Sequence, residues 1–134
     1  MIRLDKANGN IELGNYMLTP GMLLSELERL RKFFNVRLSV KNGEFISYSV
    51  TEFEKDVVIL VVQFYEERLI FISIFLKSKS EPFVISGFEQ KELLEILMLI
   101  GGVREYDWGR VELAEDRKGG TVSICINYQS ARGK

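Results

Sequence analysis

The stretch from residue 57 to residue 76 constrains this chain more than any other. It holds two apolar runs, Val57 to Tyr65 and Leu69 to Leu76, parted by Glu66, Glu67 and Arg68. Its length suits a membrane helix. An ionised group at the centre of such a span costs ~2.5–3.5 kcal/mol, so three in a row exclude it. Two strands joined by a tight turn remain, because the β-branched and aromatic residues that fill both runs pack well on a pleated surface. Near-continuous apolar strands belong at the centre of a sheet, covered on both faces over much of their length.

The flanking segments supply neighbours for that pair. Val36, Leu38 and Val40 alternate with Arg37, Ser39 and Lys41, and Ile46, Tyr48 and Val50 alternate with Ser47, Ser49 and Thr51. Such alternation marks strands with one buried and one wet face. Asn42-Gly43 between them is a favoured hairpin turn, and Asn8-Gly9 plays the same part between Ile2/Leu4 and Ile11/Leu13. Gly14-Asn15 then redirects the chain. Glu54-Lys55-Asp56 supplies the turn before Val57. Near the end Val111 and Leu113 alternate, residues 115–120 form a loop, and Val122, Ile124, Ile126 and Tyr128 alternate back.

Two helices interrupt the strands. The first is expected from Thr19 as N-cap and Pro20 at the first helical position, with Leu23, Leu27, Leu30 and Phe34 on one face and Asn35 as its stop. The second follows a polar connector over residues 77–82 and opens on the capping box Ser86-Gly87-Phe88-Glu89. Leu93, Ile96, Leu97 and Ile100 line one face, Leu94, Met98 and Leu99 widen it, and Gly101-Gly102 ends it. The reading is a single α+β domain over residues 1–134, with 130–134 as a frayed tail. Its antiparallel sheet has about six to eight strands, with two helices mostly on one face, in the order β-β-α-β-β-β-β-α-β-β.

Chemistry is limited by what the chain lacks. It has no histidine and one cysteine, Cys125. Histidine-dependent triads and His-containing zinc sites are therefore impossible, and so are an internal disulfide and a Cys-only zinc site. No metal or cofactor is expected, nor an enzyme, unless one worked through carboxylates alone. Cys125, out of phase with Ile124 and Ile126, reads as a packing residue on the second face of the sheet. The net charge of −1 is well mixed along the chain, without the positive field that nucleic-acid binding requires. Met1-Ile2-Arg3-Leu4-Asp5-Lys6 lacks the apolar core of a signal peptide, which points to the cytoplasm.

The segment that most suggests function is Tyr106-Asp107-Trp108-Gly109-Arg110, followed by Glu112 and by Glu115-Asp116-Arg117-Lys118-Gly119-Gly120. Trp, Tyr and Arg anchor protein interfaces because they bury large areas and keep a polar handle. Trp108 has a second reading, as a core plug at the end of the sheet, since tryptophan is highly buried on average. The run Arg117-Lys118-Gly119-Gly120 is not a P-loop, because the lysine is not framed by the required glycines and the segment joins two strands. Ser47, Ser49 and Thr51 mark a wet sheet face. With Phe45 and Phe53 on the same side it would be a mixed polar and aromatic surface.

Three local patterns carry a family likeness: the Ile11-Glu12-Leu13-Gly14 strand, the Leu18-Thr19-Pro20 helix start and the Tyr106-Asp107-Trp108-Gly109 hairpin start. With them the chain resembles bacterial immunity proteins of contact-dependent and polymorphic toxin systems. The resemblance implies a small non-enzymatic protein that binds and neutralises a cognate toxin domain. On that reading Tyr106 and Trp108 are aromatic anchors. Asp107, Glu112, Glu115 and Asp116 face a basic toxin surface, such as a nuclease groove, and Arg110 and Arg117 set register. Residues 20–128 also resemble type III secretion chaperones, with an α-β-β-β-α-β-β-α order. An extra strand pair at the start, one more central strand and the missing third helix depart from that pattern. A homodimer through the apolar strands of residues 57–76 is compatible with the sequence if either lies at a sheet edge.

Overall fold

The structure is a computed structural model that describes residues 2–51, 58–76, 87–116 and 118–128. Phe53, the turn at 54–56, the connector at 77–82, Ser86, Arg117 and the tail at 130–134 lie outside the described residues.

Three short strands, β1 (Ile2–Leu4), β2 (Ile11–Leu13) and β3 (Tyr16–Leu18), form a small antiparallel sheet. A 3-10 turn, Leu24–Leu27, runs into the one-turn helix α1 (Glu28–Arg31). Then come β4 (Asn35–Asn42), β5 (Phe45–Thr51), β6 (Val58–Tyr65), β7 (Arg68–Leu76), α2 (Gly87–Leu99), β8 (Arg104–Tyr106), β9 (Gly109–Asp116) and β10 (Thr121–Tyr128). The last seven strands make one antiparallel sheet in the order β4-β5-β6-β7-β10-β9-β8. The α+β expectation holds, and β3 and β8, each only three residues long, are additions to the expected order.

β6 and β7 do lie in the interior of the sheet, so neither offers an edge to a second copy. Their coverage differs from expectation. Along β6, Val58, Leu60, Val62 and Phe64 are buried while Ile59, Val61, Gln63 and Tyr65 are half-exposed. The buried residues join Val50, Ile72, Ile74, Ile124, Ile126 and Val111 in one apolar cluster. That cluster also takes in Ile11, Leu13 and Leu18 of the small sheet, Leu27 and Leu30, and Leu93, Leu97 and Ile100 around α2. Facing residues in register share a side of the sheet. The small sheet and both helices therefore cover one face, and no described element covers the other.

The first helix starts later and is shorter than its apolar spacing suggests. Gly21 adopts a positive φ of 73°, and the backbone there is committed to a distant strand: Gly21 N–H donates to Leu69 O, Leu69 N–H to Met22 O and Leu24 N–H to Glu67 O. Thr19 and Pro20 thus open a turn, and helical geometry begins only at Leu24. The hairpin loops shift as well. Asp5 N–H donates to Asn10 O, so the first loop closes on four residues, 6–9, with Gly9 in the left-handed region. Asn42 pairs with Phe45, leaving Gly43-Glu44 as the two-residue turn.

On α2, the widened stripe is not buried. Leu94, Met98 and Leu99 are exposed, Met98 at 74%. Together with Gly87, Gln90, Lys91 and Glu95 they line an open, mainly apolar groove on the outer side of the helix. The glycine stop is as expected. Gly102 N–H donates to Leu97 O and Gly101 N–H to Met98 O, the paired bonds that close a helix on a left-handed residue. No described helix is long and apolar enough to cross a membrane.

Candidate protein-binding surface

The hairpin start at Tyr106 is where the covered face is fastened shut. Trp108 is only 7% exposed. Its indole Nε1–H donates to Lys6 O at 2.9 Å, and its ring stacks on Tyr106 with centroids 4.7 Å apart and tilts against Tyr128 at 5.7 Å. The Tyr128 hydroxyl donates to Gly9 O at 2.7 Å. Burial pushes the Tyr128 phenol well above its ordinary value, so it stays protonated and serves as a donor. Gly9 meets the indole face so closely that a Cβ there would sit 2.6 Å from Trp108 Cδ2. Of the two readings of Trp108, the core plug describes where the ring lies: the indole fixes the loop of residues 6–9 to the end of the sheet.

The other residues singled out by sequence do not converge. Asp107 is exposed in the two-residue turn between β8 and β9, where Tyr106 pairs with Gly109. Arg110 and Glu112 stand two apart on β9, on the uncovered face, with Arg110 Nε 2.6 Å from Glu112 Oε1. That pair is a close charge contact and not an aligned hydrogen bond, because the buried Nε–H finds no well-directed acceptor. Glu115 points to the covered side, where Gln90 Nε2 of α2 donates to its carboxylate at 3.4 Å. Asp116 accepts Gly119 N–H at 3.0 Å and closes the turn into β10. The four carboxylates thus occupy four separate settings, and no described group of three or more Cys, Asp or Glu is placed to hold a metal ion.

The uncovered face gathers what the sequence scattered. One row crosses the sheet from Glu105 through Arg110, Asn127, Phe71 and Gln63 to Ser47. The next runs from Glu112 through Cys125, Ser73, Val61 and Ser49 to Arg37. Ile59 and Phe75, paired with each other, extend the same face. The charged ends are exposed or nearly so. The middle is half-buried, with the small residues Ser73 and Cys125 lowest. Ser47, Ser49 and Thr51 lie on this face, and Phe45 and Tyr65 pack together at its corner with ring centroids 4.7 Å apart. An apolar centre with hydroxyls, amides and a charged rim has the make-up of a protein interface.

Known proteins give one bearing. No protein-family model matches the chain, and no curated protein matches it. One solved structure shares its fold. It is described as "Rhs1-CT in complex with cognate immunity protein RhsI1", and one of its chains aligns with a TM-score of 0.68 over 100% of this chain and 91% of that one, at 17% identity. The whole chain therefore shares its fold with a chain of a complex that contains a cognate immunity protein, in line with the resemblance read from the sequence.

Sequence reasoning missed Ile59, Val61, Phe71 and Phe75 as surface residues. Unbroken apolar strands read as doubly covered. The available signal was the hydroxyl row on β5. A wet strand paired in register with β6 places Ser47 beside Gln63 and Ser49 beside Val61, and so marks that side of β6 as open too.

Proposed function

We propose that this chain is an immunity protein, which binds a cognate toxin domain and silences it by covering a surface the toxin needs. The observation that carries the reading is the full-length fold likeness to a chain of a complex containing a cognate immunity protein. In this reading the protein works by binding and not by catalysis, in the cytoplasm. The uncovered sheet face is the contact surface. Val61, Phe71 and Phe75 supply apolar area at its centre, while Arg110, Glu112 and the nearby Asp107 set register and charge at its rim. Tyr106 and Trp108 act from behind, by holding the sheet end in shape. A toxin with a basic substrate groove, as in a nuclease, suits the carboxylates of Asp107 and Glu112.

A tagged pull-down from the native host, followed by mass spectrometry, tests the reading. The expected outcome is one large secreted protein captured in equal amount through a folded C-terminal domain. A set of secreted proteins held through unfolded segments would favour a secretion chaperone. With the partner in hand, Arg110→Glu combined with Glu112→Arg should weaken binding without lowering the melting temperature. Binding that survives this change and Val61→Asp alike would move the contact off the uncovered face.

A further inference from the structure

The two edges of the seven-stranded sheet are unequal. β8 ends one side after three residues. β4 ends the other with eight, and no described strand pairs with its outer side. From Arg37 to Asn42 every residue of β4 is exposed, and Leu38 and Val40 each stand 58% open. A long edge with apolar side chains is a template for another strand, and natural proteins normally guard it. Here the guard is partial. The Arg31 guanidinium donates to Val36 O at 2.9 Å, which occupies a carbonyl at the start of the strand and leaves the stretch beyond it clear.

The register shift between Leu38 and Val40 arranges the side chains of this edge. Arg37 pairs with Ser49 and Val40 with Ser47, both on the uncovered face. Leu38 pairs with Tyr48 and Lys41 with Ile46, both on the opposite face. Each face of the edge thus presents one apolar and one cationic side chain. β4 carries two cations and no carboxylate, so a second copy paired antiparallel along this edge would offer neither Arg37 nor Lys41 a carboxylate from its own β4. An incoming strand with apolar residues and carboxylates meets a complement on both of its faces.

We propose that β4 accepts an extended, carboxylate-bearing segment of the protein partner as a further strand of the sheet. The inference deepens the immunity reading and rests on it for the partner's identity. The chemistry can be tested without that partner. Two soluble twelve-residue peptides serve as probes, one repeating Val-Val-Glu-Glu and one repeating Val-Val-Lys-Lys, so that each face of the added strand alternates an apolar with a charged residue. They are added to the full chain, and binding is followed by amide hydrogen exchange.

The expected result is slowed exchange across residues 35–42 with the glutamate peptide and about tenfold weaker binding of the lysine peptide, the preference two surface ion pairs can supply. The double change R37E/K41E should reverse that preference while leaving the far-ultraviolet spectrum unchanged. If that variant does not fold, R37Q/K41Q should abolish the preference, and the wild-type preference should fade with added salt. Equal binding of both peptides, protection confined to β7 and β10, or no protection would each overturn the proposal. A dimer whose β4 amides are already protected would assign the edge to a second copy and overturn it as well. None of these results bears on whether a toxin co-purifies, so failure here leaves the immunity reading standing.

Discussion

The two faces of the seven-stranded sheet are built from the same strands and differ in what covers them. On one, Leu60, Ile72, Ile74, Ile124 and Ile126 are fully buried against α2 and the small N-terminal sheet. On the other, Val61, Phe71 and Phe75 sit between hydroxyls and charges with no described element above them. Stability belongs to the first face, and the proposed contact with a partner uses the second. Cys125 belongs to the second by register, yet it is buried, and its sulfur lies 3.6 Å from Ser123 Oγ.

The largest effect should come from Trp108→Ala. Removing a buried indole costs about 3–5 kcal/mol, read as a fall in the urea midpoint. A loss below about 1 kcal/mol would mean that the loop of residues 6–9 is not held by the indole, and the contrast between the faces would weaken. Gly109→Ala comes next. The residue sits at φ 154°, and an added Cβ would run into the Asn127 carbonyl, which is backbone and has nowhere to go. A loss of about 3 kcal/mol is expected, since such overpacking sits at the upper end of its usual range.

Tyr128→Phe should cost about 1–3 kcal/mol, because it leaves the buried Gly9 carbonyl without its donor. The same phenol gives a pH signature. Its folded value lies above the ordinary value of 10, so its contribution is complete below pH 10. As pH climbs past 10 the unfolded chain releases the proton and the folded chain does not, and stability falls. Alkaline unfolding measured from pH 9 to 11 should therefore show a slope that Tyr128→Phe reduces. The smallest effect on stability should come from Arg110→Glu with Glu112→Arg, within about 0.5 kcal/mol, as for most surface changes. A fall in melting temperature matching that of Trp108→Ala would show that this face is structural after all.

Local pattern made much of this legible. β6, β7, the β5 alternation and the glycine stop of α2 follow from side-chain period and turn chemistry. What escaped depends on distant partners. The start of the first helix gave way because Gly21 and Leu24 bond to Leu69 and Glu67, more than forty residues on. Leu94, Met98 and Leu99 carry the right residue types for burial, yet they point away from the sheet, a direction set by how α2 docks. For the candidate surface, residue type found Arg110 and Glu112. It grouped them with Trp108 and Glu115, which the pleat and the hairpin turn send elsewhere.

The fastening of Gly9 by Tyr128, 119 residues away in sequence, has a consequence in time. Contacts of such separation form late, because the entropy of closing a long loop must be overcome first. As the chain leaves the ribosome, the seat of the loop at residues 6–9 does not exist until β9 and β10 have been made. The loop of residues 6–9 can therefore be fixed in place only after Trp108 and Tyr128 have been made. The rate of folding should follow the docking of that loop more closely than the formation of any helix.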